Sequence, residues 1–359
     1  MTKTLLIINP GSTSTKVALY DEDRPRVSGQ IDHNPEEIRS FASVSAQFDY
    51  RKEAVQHWLR EQGDVELAAV VARGGLLRPL QGGCYEVDEC MKEDLWNGVQ
   101  GEHASNLGGL IADAIATPRG IPAFIVDPVS VDEFDDVARL SGLKELPRKS
   151  LLHALNIRST ARKAAEDMGK EMEECSFVVA HLGGGFSIVP MRKGKMIDAN
   201  NANEEGPFSP DRSGTLPAYG LAKLMFSGKF KDFSEARKMI IGQGGLMAYL
   251  GTSDARDAVK LMEEGDEYAK LVVDSMAYHI AKYIGAMAAS LKGKVDAIIL
   301  TGGIAYDRYI TKQIEKHVRF IAPVRLYPGE NEMEALASGA MRVLRGIEAA
   351  RNYEKEVNK

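Results

Sequence analysis

Three short stretches of this 359-residue chain carry the residue types that hold phosphate groups. The first is Asn9-Pro10-Gly11-Ser12-Thr13-Ser14-Thr15-Lys16, where hydroxyls, an amide and an ammonium crowd around one glycine. Phosphate binding needs backbone N–H donors in a turn that no side chain blocks, and hydroxyls and a cation add to them. The stretch is not a Walker A loop, because Gly-x-x-x-x-Gly-Lys-Ser/Thr is absent and a strand follows where a helix should begin. Taken alone it also reads as a polar hairpin turn; Lys16 and the clustered hydroxyls favour an anion. The second stretch, His181-Leu182-Gly183-Gly184-Gly185-Phe186-Ser187, would let a phosphate chain lie against bare backbone. Three glycines by themselves signal only a tight turn. The third, Thr301-Gly302-Gly303-Ile304, follows an apolar run and precedes a helical pattern, so it could seat a nucleotide at a helix N-terminus.

Strands must hold these turns. Leu5-Leu6-Ile7-Ile8 and Lys16-Val17-Ala18-Leu19-Tyr20 flank the first turn as hairpin partners, and residues 177–182 and 186–191 flank the second in the same way. Two strand–turn–strand units far apart suggest an internal duplication of one α/β fold, with a period too long for a solenoid. Further strands are expected at 67–72, 123–127, 297–301 and 324–327. Helices are expected at 149–168, 266–291 and 332–350, with a charged tail after Arg351 that frays. The apolar stripe Val273, Met276, Ile280, Ile284, Met287, Leu291 is core or subunit-interface packing at helical spacing.

The length suits two domains, and a net charge of −6 with no basic run gives no footprint for nucleic acid. An anionic substrate must therefore be held by local positive groups. No apolar run approaches the roughly 20 residues of a membrane span, and no signal pattern opens the chain. Cys84, Cys90 and Cys175 form no Cys-x-x-Cys, as expected of a reduced, cytoplasmic protein. His33, His57, His279 and His317 are isolated and receive no role.

Together, in this order, the three turns resemble those of the actin/hexokinase/Hsp70-type ATPases. With IINPGSTSTK, LLHALN, AHLGGGFS, NEEGPFSPDRSG and ILTGGIA, the chain resembles the acetate kinase family, and Pro10 and Gly184 look like its butyrate kinase branch. The resemblance implies an α/β fold of duplicated ribonuclease H-like (actin-like ATPase) domains with an interdomain cleft. Domain I would be residues 1–150 with a C-terminal helix from about 335 to 359, and domain II, binding ATP or ADP, residues 151–334. Asn9, Ser12, Ser14, Lys16, His181, Gly183, Gly184, Gly185, Gly302 and Gly303 would hold phosphates, and Asp254 and Arg256 would contact adenosine. His153 and Arg212 would act on the transferring phosphoryl group, with Asp127 near the reacting carboxylate and metal. Glu334, with Glu332 as a register-shifted alternative, would serve Mg²⁺ carried by ATP. No His/Cys cluster has zinc-site spacing. His103 would lie near the acid or simply bond a backbone carbonyl. Where acetate kinases carry a substrate arginine this chain has Val70; Arg73 could replace it, or form a strand-end salt bridge. Ala72 and Leu152 stand where acetate kinases carry bulkier residues, which implies a pocket for four-carbon acids.

The expected reaction is reversible, direct in-line phosphorylation of a short-chain carboxylate to its acyl phosphate by a homo-oligomer (dimer or larger) without membrane or nucleic-acid partners. The readings left open are an acetate, propionate or branched-chain acid kinase, an exopolyphosphatase-like hydrolase, and a non-enzymatic actin-like ATP-binding protein.

Overall fold

The computed structural model describes residues 2–358. The chain divides into two compact units: the residues up to Asp132 together with those from Asn331 onward, and Glu133–Glu330. The first crossing thus lies before Glu133, earlier than the expected 150. Ion pairs explain why. Glu133 meets Arg158 at 2.9 Å, Asp135 meets Arg192 at 2.8 Å, and Arg148 bridges Asp198 and Glu205. These tie the segment 133–150 to the second unit.

The first unit holds strands β1 (Thr4–Pro10), β2 (Ser14–Asp21), β3 (Arg24–Asp32), β4 (Ala69–Arg73), β5 (Cys84–Glu86) and β6 (Ala123–Val126). The second holds β7 (Ser176–Leu182), β8 (Phe186–Arg192), β9 (Lys195–Met196), β10 (Ala297–Gly302) and β11 (Val324–Pro328), and β12 (Arg351–Asn352) returns to the first. The sheet orders are β12-β5-β6-β4-β1-β2-β3 and β11-β10-β7-β8-β9. The run β6-β4-β1-β2-β3 matches β11-β10-β7-β8-β9 in order and in sense. The hairpins β1–β2 and β7–β8, and the pairs β2–β3 and β8–β9, are antiparallel, while β1–β4–β6 and β7–β10–β11 are parallel. This is the duplicated ribonuclease H-like α/β fold. β1 is buried at every residue, as befits an apolar strand flanked on both edges and covered on both faces.

Helix Glu267–Ser290 begins at Asp266, whose carboxylate accepts the Tyr268 and Ala269 N–H groups, and it buries Val272, Met276, Ile280, Ile284 and Met287 in the second core. The helix expected at 149–168 starts only at Ala154, with His153 outside it in a non-helical conformation. Helix Glu332–Leu344 ends before the expected 350 because Gly346 adopts φ 72°, a left-handed termination. The tail does not fray. β12 pairs with β5, and Tyr353 is fully buried with its hydroxyl donating to Asp94 at 2.7 Å and accepting the Arg78 N–H. Among the described residues no helix is long and apolar enough to cross a membrane.

Candidate active site

In the first unit Asn9 is the next-to-last residue of β1, Arg73 ends β4, and Asp127 follows directly on β6. Carboxyl ends of parallel strands are where α/β sheets bind ligands. Asn9 is buried and its Nδ2 donates to Glu332 Oε2 at 2.6 Å; Arg73 Nη1 lies 3.1 Å from Glu332 Oε1. Arg73 therefore makes a strand-end salt bridge. Glu332 reaches this spot because its helix lies close on β6: a Cβ at Gly339 would stand 2.5 Å from a Val126 methyl. Glu334 is exposed, and its charge acts on Tyr20. Helical residues two positions apart differ by about 200° around the axis, so Glu334 cannot share the position of Glu332.

Asp127 is buried at φ 39°, and its carboxylate accepts the Gly83 N–H at 2.8 Å. A non-glycine residue there is strained, a feature common at functional sites. Lys16 lies directly across the hairpin from Asn9, with an exposed side chain, and Ser12 is likewise exposed. His103 Nδ1 bonds Ser105 Oγ at 2.8 Å, and desolvation, then the charges of Arg73 and Arg51, lower its pKa. Ala72 is fully buried in the core beside Gly108, where it packs the sheet.

In the second unit polar and charged side chains surround the glycine turn after β7. His153 and His181 stack with ring centroids 4.0 Å apart. His153 Nδ1 meets Ser187 Oγ at 2.9 Å. His181 Nδ1 meets Asn156 Oδ1 at 2.8 Å, while Asn156 Nδ2 donates to the carbonyls of Gly329 and Glu330. The Asn156 carbonyl therefore faces His181, which must carry its proton on Nδ1 and turn Nε2 toward Gly183. Arg212 lies against bare backbone at Gly185, where any Cβ would strike its guanidinium. Its Nη1 donates to Asn203 Oδ1 at 2.9 Å, its buried Nε has no hydrogen-bond partner among the described residues, and burial lowers its pKa. Leu152, buried, directly precedes His153.

A groove of about 790 Å³ runs over this turn, lined among others by Gly183, Gly184, Asp254, Arg256, Gly303 and Glu330. Added methyls at Gly184 or Gly303 would meet open space, so both present bare backbone to the groove. Gly302, by contrast, is pressed against Leu182. Asp254 caps helix Ala255–Glu263 and chelates the Arg256 guanidinium, with Nε to Oδ1 at 3.0 Å. The volume and lining suit a nucleotide, with phosphates toward the glycines.

Sequence reasoning missed Asn156, which the LLHALN stretch contained, and Arg51, which no motif marks. Among the described residues no group of three or more His, Cys, Asp or Glu side chains is placed to hold a metal.

Comparison with known proteins gives the family of the chain. A family model, the Acetokinase family, matches residues 144–322. The chain is 53% identical over 351 residues to the probable butyrate kinase 2 of Caldanaerobacter subterraneus subsp. tengcongensis, covering 97% of this chain and 99% of that protein. It is 50% identical over 353 residues to butyrate kinase 2 of Clostridium acetobutylicum, covering 98% and 99%. Its fold is similar to that of Porphyromonas gingivalis acetate kinase, at a TM-score of 0.77 and 20% identity over 95% of this chain and all of that one. Entamoeba histolytica acetate kinase is similar at a TM-score of 0.74 and 14% identity, over 94% and 98%. With half its residues identical to those relatives along nearly its whole length, this chain belongs to the acetokinase family.

Proposed function

We propose that this chain transfers the terminal phosphoryl group of ATP to the carboxylate of a short-chain fatty acid, butyrate in preference to acetate, giving an acyl phosphate and ADP. The full-length relatives named as butyrate kinases support the acid and the activity. The observation that carries the chemistry is Arg212, a half-buried guanidinium whose buried Nε has no hydrogen-bond partner among the described residues, while Asp211, the acid whose charge acts on it, stands 3.8 Å away. Such a cation serves an anionic ligand better than it serves the fold.

A carboxylate is already ionised near neutral pH and needs no general base. The protein's work is to align two anions and to stabilise charge on the phosphoryl oxygens. Arg212 would donate to those oxygens from one side of the glycine turn, with His153 donating from the stack with His181. Asp127, held by the Gly83 N–H, orients and does not abstract a proton. Asp127 and Glu332, in place of Glu334, are the carboxylates that would face Mg²⁺ on ATP; when bound, the ion neutralises phosphate charge. The nucleotide would occupy the groove along Gly183, Gly184 and Gly303.

The test is acyl hydroxamate formation from ATP, Mg²⁺ and acids of two to six carbons trapped with hydroxylamine. Two extra methylenes buried at about 0.8 kcal/mol each should favour butyrate over acetate by roughly tenfold in kcat/KM. Leu152→Phe should move the optimum toward shorter acids. Ala72→Val should lower stability without moving it, because Ala72 is core. No hydroxamate with any acid would exclude the activity, and an acetate optimum would exclude the butyrate assignment alone.

A further inference from the structure

Arg51 is fully buried in the first unit, on helix Phe48–Glu61 beneath the Gly11–Ser14 turn. Its Nη1 donates to Gly11 O at 2.8 Å and its Nη2 to Ser12 O at 2.9 Å; Nε donates to Gln47 Oε1 at 3.0 Å, and Thr15 Oγ1 lies 3.4 Å from Nη1. Every partner is neutral. His33, which bonds Thr15 Oγ1 at 2.8 Å, is held near pKa 4 by burial and by the Arg51 charge, so it adds no charge at neutral pH. A buried guanidinium is costly unless some anion compensates it, and among the described residues no carboxylate bonds this one.

The geometry also aims the turn. In a trans peptide C=O and N–H point opposite ways, and no described peptide here is cis. Drawing the Gly11 and Ser12 carbonyls inward to Arg51 therefore turns the N–H groups of Ser12 and Thr13 outward, where both residues are exposed beside their own hydroxyls.

We propose that Arg51 is a positioning residue that orients these N–H groups and whose buried charge is compensated by a phosphoryl group bound at the Gly11–Ser14 turn. This rests on the kinase reading above, and it assigns the turn to the terminal phosphoryl group, since several N–H and O–H donors suit an anion with three oxygens better than a carboxylate.

Calorimetric Kd values for ATP and ADP, each with Mg²⁺, decide it. Arg51→Met should weaken ATP on the order of tenfold or more while ADP changes less than about twofold. Gln47→Glu is the sharper variant, because it leaves Arg51 in place and supplies an internal counterion. It should weaken ATP by about three- to tenfold, again sparing ADP, without lowering the melting temperature. A purely structural Arg51 predicts an unchanged ATP-to-ADP affinity ratio in Gln47→Glu, and that result overturns the proposal even if Arg51→Met does not fold. A variant that raises only the KM of the acid would also overturn it, by assigning the turn to the carboxylate. A wild-type chain that forms no hydroxamate sinks the kinase reading while leaving the affinity ratio measurable, so the two failures are separable.

Discussion

The two hairpin turns sit at equivalent places in two sheets of the same order, yet they are built in opposite ways. The first is rich in side chains, and its carbonyls are drawn inward by the fully buried Arg51. The second has no side chains from Gly183 to Gly185; its Gly184 carbonyl accepts the Ser209 hydroxyl, and Arg212 lies across Gly185 with an unused donor. Each turn has one arginine, but Arg51 spends its donors on the protein, whereas the Arg212 Nε meets no acceptor among the described residues. A duplicated scaffold thus fixes where the turns lie and leaves their chemistry to whether a Cβ is present. The first turn offers hydroxyls and an amide, whereas the second offers bare backbone to a groove of about 790 Å³.

The sharpest way to break that contrast is to remove the available arginine. Arg212→Ala should lower kcat by on the order of 10²–10³, since it deletes a donor used mainly on the transition state. ADP affinity should stay near wild type, because Asp254, Arg256 and Gly303 line the groove independently. Turnover close to wild type would show that Arg212 takes no part in the transfer. The glycines provide a finer test within one turn. Gly185→Ala must displace the Arg212 guanidinium and should reduce kcat by roughly ten- to a hundredfold, part of the Arg212→Ala effect. Gly184→Ala, whose methyl enters open groove, should instead raise the KM for ATP and leave kcat nearly unchanged. Equal effects at both positions would mean that the turn is simply intolerant of side chains.

Much of this arrangement could be read in the sequence, for identifiable reasons. The hairpins β1–β2 and β7–β8 follow from apolar runs with a turn signal between them, and local patterns of that kind survive folding. What could not be read depends on contacts distant in sequence. Glu332, not Glu334, meets Asn9 and Arg73, a distinction set by how one helix is rotated over β6. Ala72 is core because β4 is covered at that point, which its spacing from the following glycines does not reveal. Arg51 carries no motif; only the fold brings it beneath a turn 40 residues earlier in the chain. The boundary before Glu133 was hidden for the same reason, since ion pairs such as Arg148–Glu205 join charges that look like ordinary surface.

The sheets also differ at their far edges. The first is extended by β5 and β12, with Tyr353 anchoring the C-terminal segment; the second stops at β11. The Tyr353 hydroxyl donates to Asp94 and accepts the Arg78 N–H, and both partners belong to the first unit. Asp94 keeps its 2.9 Å ion pair with Arg78 when the hydroxyl is removed, so no carboxylate is left bare. Tyr353→Phe should therefore cost only about 1–2 kcal/mol, the loss of a buried hydrogen-bonded hydroxyl with one backbone N–H left unsatisfied. Amide exchange should quicken at β5 and β12, while β7, β10 and ADP affinity remain as in the wild type. If ADP binding weakened in step with the stability loss, the C-terminal segment would support the nucleotide groove too, and the extra strands would no longer count as a feature of the first unit alone.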